Sequence, residues 1–300
     1  MHKYTSQLIL VLAFILTFIP YQQIANSLSL PVASVENPAI ALLQVICAAL
    51  LWLTYRSTTS RSLKLFWQYL FFAIVCTLVS TSLAYEPNSL AQQLTHSFAS
   101  LFVYFFILLA IETNPHLSDM PLNRYISGRV PAILFTVICF SYFVLLPIEF
   151  AGDSTLASKP AQLFHVLITG LITARLISCL FNCQGSFWRQ VFTMLALGAG
   201  FLFVNNVIGL ANSKGALSQY PGYFASVSSL APYLVLIVAA STSLNSPLTA
   251  NQSDRETHPE VYILSLTMLL VGIHLYGYET KAFFSVDSNL QSIIVLLWLF

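Results

Sequence analysis

Ten apolar runs, at residues 7–24, 38–55, 64–84, 95–112, 130–149, 161–182, 188–211, 221–243, 261–278 and 289–300, fill almost the whole chain. Most are long enough for a helix to cross the hydrocarbon core, which takes about 20 residues. Backbone N–H and C=O groups find no partner in lipid, so a spanning segment must be a helix or part of a closed barrel. Barrel strands alternate polar and apolar side chains. Residues 8–16 are apolar without a break, which predicts helix. The expected fold class is all-α, a polytopic integral membrane bundle of about ten transmembrane helices. Composition agrees: 8% of residues are charged and 57% hydrophobic, whereas soluble domains carry about 25% charge.

The placement of charge predicts orientation. With the N-terminus inside, the inner segments hold Lys3, Arg56, Arg61, Lys64, Arg124, Arg129, Arg175, Arg189 and Arg255, and the outer ones only Lys159, Lys214 and Lys281. An excess of Lys and Arg in every second loop marks the cytoplasmic side. This predicts a bacterial inner-membrane protein with both ends cytoplasmic. A net charge of +1 gives no reason to expect a nucleic-acid partner. The expected partners are the bilayer, a small or lipophilic ligand and a second copy in a homodimer.

Residues 1–27 also fit a signal peptide, with His2 and Lys3 before an apolar core and Ala25, Asn26 and Ser27 after it. Both readings leave the rest of the topology unchanged. The polar stretch 244–260, rich in Ser, Asn, Pro and Thr, reads as a cytoplasmic linker. It divides an eight-helix bundle at 1–243 from two further helices at 261–300. Those two share features with the first two: Asn37, Gln44 and Trp52 are matched by Asn289, Gln291 and Trp298. A truncated second repeat and chance likeness both account for this. The tenth run stops at Phe300, short of a full span, which implies a fragment with a cytoplasmic part to follow. Cys179 and Cys183, four apart on one helix face, read as small apolar fillers, with a metal or redox pair as the alternative.

The orientation assigns depth to the polar residues. His96, His165 and His274 fall near the outer ends of the fourth, sixth and ninth runs, and Asn205 and Asn206 in the outer third of the seventh. Ser226 and Ser229 lie in the outer half of the eighth run, with Tyr233 four residues on, and Gln44 in the outer part of the second. His165, Thr169 and Thr173 repeat every fourth residue, so they share one face. Polar groups in hydrocarbon are costly and face the bundle interior. The candidate ligand-binding residues are therefore His96, His165, Thr169, Asn205, Asn206, Ser226, Ser229, Tyr233 and His274. The plainer reading is that Ser and Thr bond to their own backbone and join helices, and that His96 is solvated at the interface. No metal site and no cofactor are expected; haem held by two imidazoles from among His96, His165 and His274 is the exception the spacing allows.

Catalytic signatures are absent from the sequence. It has no Gly-Xaa-Ser-Xaa-Gly elbow, no His-Glu-Xaa-Xaa-His pair and no phosphate-cradling glycine loop. Glu112, Glu149 and Glu279 sit at the ends of apolar runs, where the interface is expected to solvate them, and Arg175 is expected to snorkel to the cytoplasmic surface. A coupled carrier places a carboxylate near the midplane. The 11 glycines are also few for a carrier of sliding helices.

The stretch Phe98-Ala99-Ser100-Leu101-Phe102-Val103-Tyr104-Phe105-Phe106-Ile107-Leu108-Leu109-Ala110-Ile111-Glu112, followed by Asn114, Pro115 and His116, resembles a segment common in bacterial signalling proteins. The region of the seventh and eighth runs and the ending Ile273, His274, Leu275, Tyr276 are similar in kind. Such proteins carry an N-terminal multi-helix membrane sensor and cytoplasmic PAS, GGDEF, EAL or histidine-kinase domains. The resemblance implies a sensory region that passes a periplasmic or lipid-phase signal to an output domain missing from this chain, and carries over no site residue. The alternative is a ten-helix carrier of the drug/metabolite type. A membrane enzyme acting on lipid-linked substrates is the third class.

Overall fold

The structure, a computed structural model, describes residues 2–83, 90–113, 136–137, 140, 154–183, 186–213 and 222–245. All regular structure among them is helical. The elements are α1 (His2–Phe18), α2 (Tyr21–Leu28), α3 (Val32–Ser57), α4 (Arg61–Leu83), α5 (Leu90–Glu112), α6 (Ser154–Asn182), α7 (Ser186–Ser213) and α8 (Gly222–Asn245). Of these, α3 to α8 are six helices long and apolar enough to cross a membrane. The shortest has 23 residues, about 34 Å at 1.5 Å per residue, against a core of about 30 Å. The linker after residue 245, the ninth and tenth runs with His274, and all of the fifth run except Thr136, Val137 and Phe140 lie outside the described residues.

The first apolar run is broken into two helices. Pro20 has no N–H to donate and ends α1, and α2 departs at 62°. The Tyr21 hydroxyl donates to the Leu16 carbonyl and ties the two sides of the break together. Ser29 then takes a left-handed conformation at φ 53°. The Leu30 N–H reaches back to the Ala25 carbonyl at 3.0 Å, which closes α2 before Pro31 opens α3. Taken together, α1 and α2 would make a seventh span.

The six long helices form a ring. α3 packs on α4 and on α8, α4 on α5, α6 on α7, and α7 on α8, while α5 meets α6 more lightly and α1 lies against α8. α5 and α6 run parallel, because Glu112 meets Arg175 at one end and Tyr104 meets His165 further along. Phe140 is seated between them, its ring 5.3 Å from Phe98 and 5.8 Å from Phe164. α7 and α8 approach closely at Gly198, where an added Cβ would lie 3.6 Å from the Pro232 carbonyl oxygen. Leu8, Val45, Leu53, Val79, Leu197 and Val204 stay exposed on the outside, as lipid-facing side chains must.

Arg56, Arg61, Lys64, Arg175 and Arg189 collect at one end of the ring, called here the basic end. There Phe66 of α4, with Trp67 beside it, packs with the α7 residues Trp188 and Phe192. Cys179 and Cys183 are buried and free.

The basic end corrects one expectation. Glu112 is not at a solvated helix end, and Arg175 does not snorkel. They are 3% and 8% exposed and form a two-pronged ion pair, Nε to Oε1 at 2.7 Å and Nη2 to Oε2 at 3.2 Å. The parallel packing of α5 and α6 puts the two charges at one depth, where pairing replaces lost hydration.

Candidate functional site

Polar side chains in the half of the bundle away from the basic end form five clusters, each joining neighbouring helices. On α3 and α8, Ser226 donates to one oxygen of Glu36 at 3.0 Å and Ser229 to the other at 2.7 Å. Two turns along the same seam, the Gln44 amide donates to the Tyr233 oxygen at 2.9 Å, and Thr81 of α4 donates to the Gln44 carbonyl at 3.2 Å. Between α8 and α7, Ser228 donates to Asn205 at 3.0 Å. Between α4 and α5, Ser80 contacts His96 Nδ1 at 3.0 Å and the Ser100 hydroxyl at 3.2 Å.

The fifth cluster surrounds His165. Tyr104 and His165 Nδ1 share a hydrogen bond of 2.8 Å. Thr169 donates back to the His165 carbonyl at 2.6 Å and Thr173 back to Thr169 at 2.7 Å. The Asn206 amide reaches the Thr169 hydroxyl at 3.3 Å. The repeat of His165, Thr169 and Thr173 is therefore partly the helix bonding to itself, a general habit of Ser and Thr in spanning helices.

Inside the ring lies a cavity of about 210 Å³. Its wall comes from α4, α5, α6, α7 and α8. The polar wall groups are Thr77, Ser80, Ser100, Tyr104, Thr169 and Tyr233, and none of the described wall residues is charged. The remainder is apolar, from Ile74 and Ile107 down to Phe66, Ile111 and Leu176. Ile111 and Leu176 directly adjoin Glu112 and Arg175 in sequence, so the ion pair lies just past the cavity's apolar end.

Of the residues singled out from sequence, Thr169 and Tyr233 line this cavity, and His165 supports its wall through Tyr104. His96 stands behind Ser80, and Asn206 behind Thr169. Asn205, Ser226 and Ser229 belong to the seams between α8 and its neighbours. Sequence reasoning left out Glu36, Ser80, Ser100 and Tyr104 as site residues. The spacings of three and four among Thr77, Ser80 and Thr81, and of four between Ser100 and Tyr104, carried that signal. His96 is half-buried and bonded, not merely solvated.

Hydrogen bonds between membrane helices average about 0.6 kcal/mol and reach about 1.7. Gln44→Leu loses two of them, so we expect a loss of about 1 kcal/mol of bundle stability in a detergent unfolding titration. An unchanged midpoint would show that the Tyr233 and Thr81 contacts are idle. The chain matches no family model, no curated protein and no solved structure.

Proposed function

We propose that this chain is the membrane-embedded, ligand-binding region of a bacterial signal-transduction protein, placed in the inner membrane with its basic end in the cytoplasm. The observation that carries this reading is the cavity inside the ring, apolar along its length and polar toward one end. A concave, mostly apolar pocket with a few convergent polar groups is the usual form of a small-molecule site. Five helices contribute to its wall, so an occupant touches α4, α5, α6, α7 and α8 at once. A ligand shifts such an equilibrium only by binding one arrangement better than the other.

The gathering of Arg and Lys at one end supports this orientation, as the positive-inside pattern does. No resident cofactor belongs to this reading. A Soret band in the purified protein would overturn that point and direct attention to His96 and His165. The signalling role is tested by reading the coding frame past Phe300. An in-frame PAS, GGDEF, EAL or kinase domain is the expected result, and an immediate stop codon would sink it.

Two features favour transport as the second reading: the broken α1 and α2 pair, and the part-buried Glu36 carboxylate held by two serines near the start of α3. Discontinuous helices and membrane carboxylates are parts that carriers use. Proteoliposome uptake that Glu36→Gln abolishes would establish that reading.

A further inference from the structure

We infer that the cavity takes an uncharged, single-chain lipophilic molecule whose one polar end is a hydroxyl or carbonyl oxygen. This rests on the ligand-binding reading above and names the ligand's chemistry.

The shape comes first. On α4 the wall runs from Phe66 to Ser80, and on α5 from Ser100 to Ile111. At 1.5 Å per residue these stretches are about 21 Å and 16 Å long. A volume of about 210 Å³ spread over that length leaves a slot about one chain wide. An apolar cavity of about 150 Å³ already admits benzene, so there is room for a real ligand, but the form suits a linear tail.

Charge comes next. None of the described wall residues is charged, and Glu112 and Arg175 beyond its apolar end pair with each other. A carboxylate or phosphate head would enter an apolar slot with no counter-charge, which is strongly unfavourable. The head must therefore be neutral, and it must lie toward Ser80, Ser100, Tyr104 and Tyr233.

Hydrogen-bond capacity then fixes the head's chemistry. The Tyr233 oxygen accepts from Gln44, and the Gln44 carbonyl is taken by Thr81. A phenol still has its own proton to donate. No described residue accepts the Tyr233 proton, and Tyr233 borders the cavity. A ligand oxygen there completes the network, with the Ser80 and Ser100 hydroxyls as further partners. Such a molecule is a free long-chain alcohol or ester.

The test uses purified protein in phosphatidylcholine nanodiscs and a diazirine-bearing dodecanol as photoprobe. Competitors are dodecanol, dodecane and dodecanoate at about pH 8, where a carboxylate is ionised. Dodecanol should compete about tenfold better than either of the others, with labels on the cavity wall. Tyr233→Phe should bring dodecanol close to dodecane and leave dodecane unchanged. Ala199→Phe, which adds bulk to the wall, should abolish labelling. Equal competition by dodecane and dodecanol would overturn the polar seat and indicate a slot for lipid tails. Preference for dodecanoate would overturn the neutral head, and labelling unaffected by Ala199→Phe would overturn the cavity as the site. Binding is read without any output domain. A stop codon after Phe300 with dodecanol bound as described would therefore remove the signalling role alone, and failed binding upstream of a signalling domain would remove the ligand class alone.

Discussion

Arg175→Ala should destabilise the bundle by about 3–5 kcal/mol, the usual loss when one partner of a buried ion pair is removed. Glu112, at 3% exposure, would be left in a near-dry site facing an apolar gap. The loss follows from taking away the guanidinium that both Glu112 oxygens bond to. Removing both charges tells a different story. Glu112→Leu combined with Arg175→Met removes both charges and keeps most of the volume, so its stability should fall within about 1 kcal/mol of the parent. Thiol labelling during detergent unfolding measures both variants, because Cys47 is fully buried and Cys179 nearly so. Cys179 lies one turn from Arg175, so faster labelling there with Cys47 still protected would reveal opening confined to the basic end. A single Arg175→Ala variant as stable as the double one would show that the pair contributes nothing.

Phe66→Ala should cost about 3 kcal/mol. The ring has no exposed surface and packs edge-on against Trp67, Trp188 and Phe192, at 4.9, 5.7 and 6.3 Å between centroids. Truncating a buried Phe in a soluble core costs about 3–5 kcal/mol, from lost transfer energy and the cavity left behind. Lipid is already apolar, so the transfer part shrinks, whereas lost contacts among the rings remain. That places the loss at the low end of the range. Phe66→Leu should recover most of it, since much of the ring's volume returns. Equal midpoints for the parent and Phe66→Ala would mean that this cluster does not hold α4 to α7. Phe66 also closes the apolar end of the cavity, so the alanine variant should lengthen the slot and accept longer tails.

The helices were largely legible because lipid constrains the backbone so strictly. Hydropathy marked α3 to α8, and the charge count anticipated that Arg56, Arg61, Lys64, Arg175 and Arg189 would share one end. The apolar stretch before Pro20 and the polar Tyr21, Gln22 and Gln23 after it marked the end of α1, but nothing there marked that a second helix, α2, would leave it at 62°. Glu112 was misread for a related reason. Position near the end of a run fixes depth along the axis, but not what lies across it, and Arg175 is 63 residues away.

The same limit applies to the site. Thr169 and Tyr233 were found because polar spacing on one helix is visible in sequence. Pairings such as Gln44 with Tyr233, 189 residues apart, depend on how each helix is rotated about its axis. Tyr104 lay in an aromatic stretch where nothing marked it as the partner of His165. Glu36 precedes the apolar run at 38–55, and nothing in that sequence pointed to Ser226 and Ser229, about 190 residues on, as its partners.

Pro232 sits midway along α8, on the cavity wall and next to Tyr233. It supplies no N–H to the Ser228 carbonyl, and its ring crowds that carbonyl, so α8 bends there more readily than elsewhere. The helix continues to Asn245, a rigid arm of about 20 Å at 1.5 Å per residue. A change of about 10° at such a joint carries the far tip sideways by about 3 Å, which is on the scale of helix shifts in known switches. A bend at Pro232 would therefore pivot on the cavity wall and displace the end of α8 that lies toward the basic end.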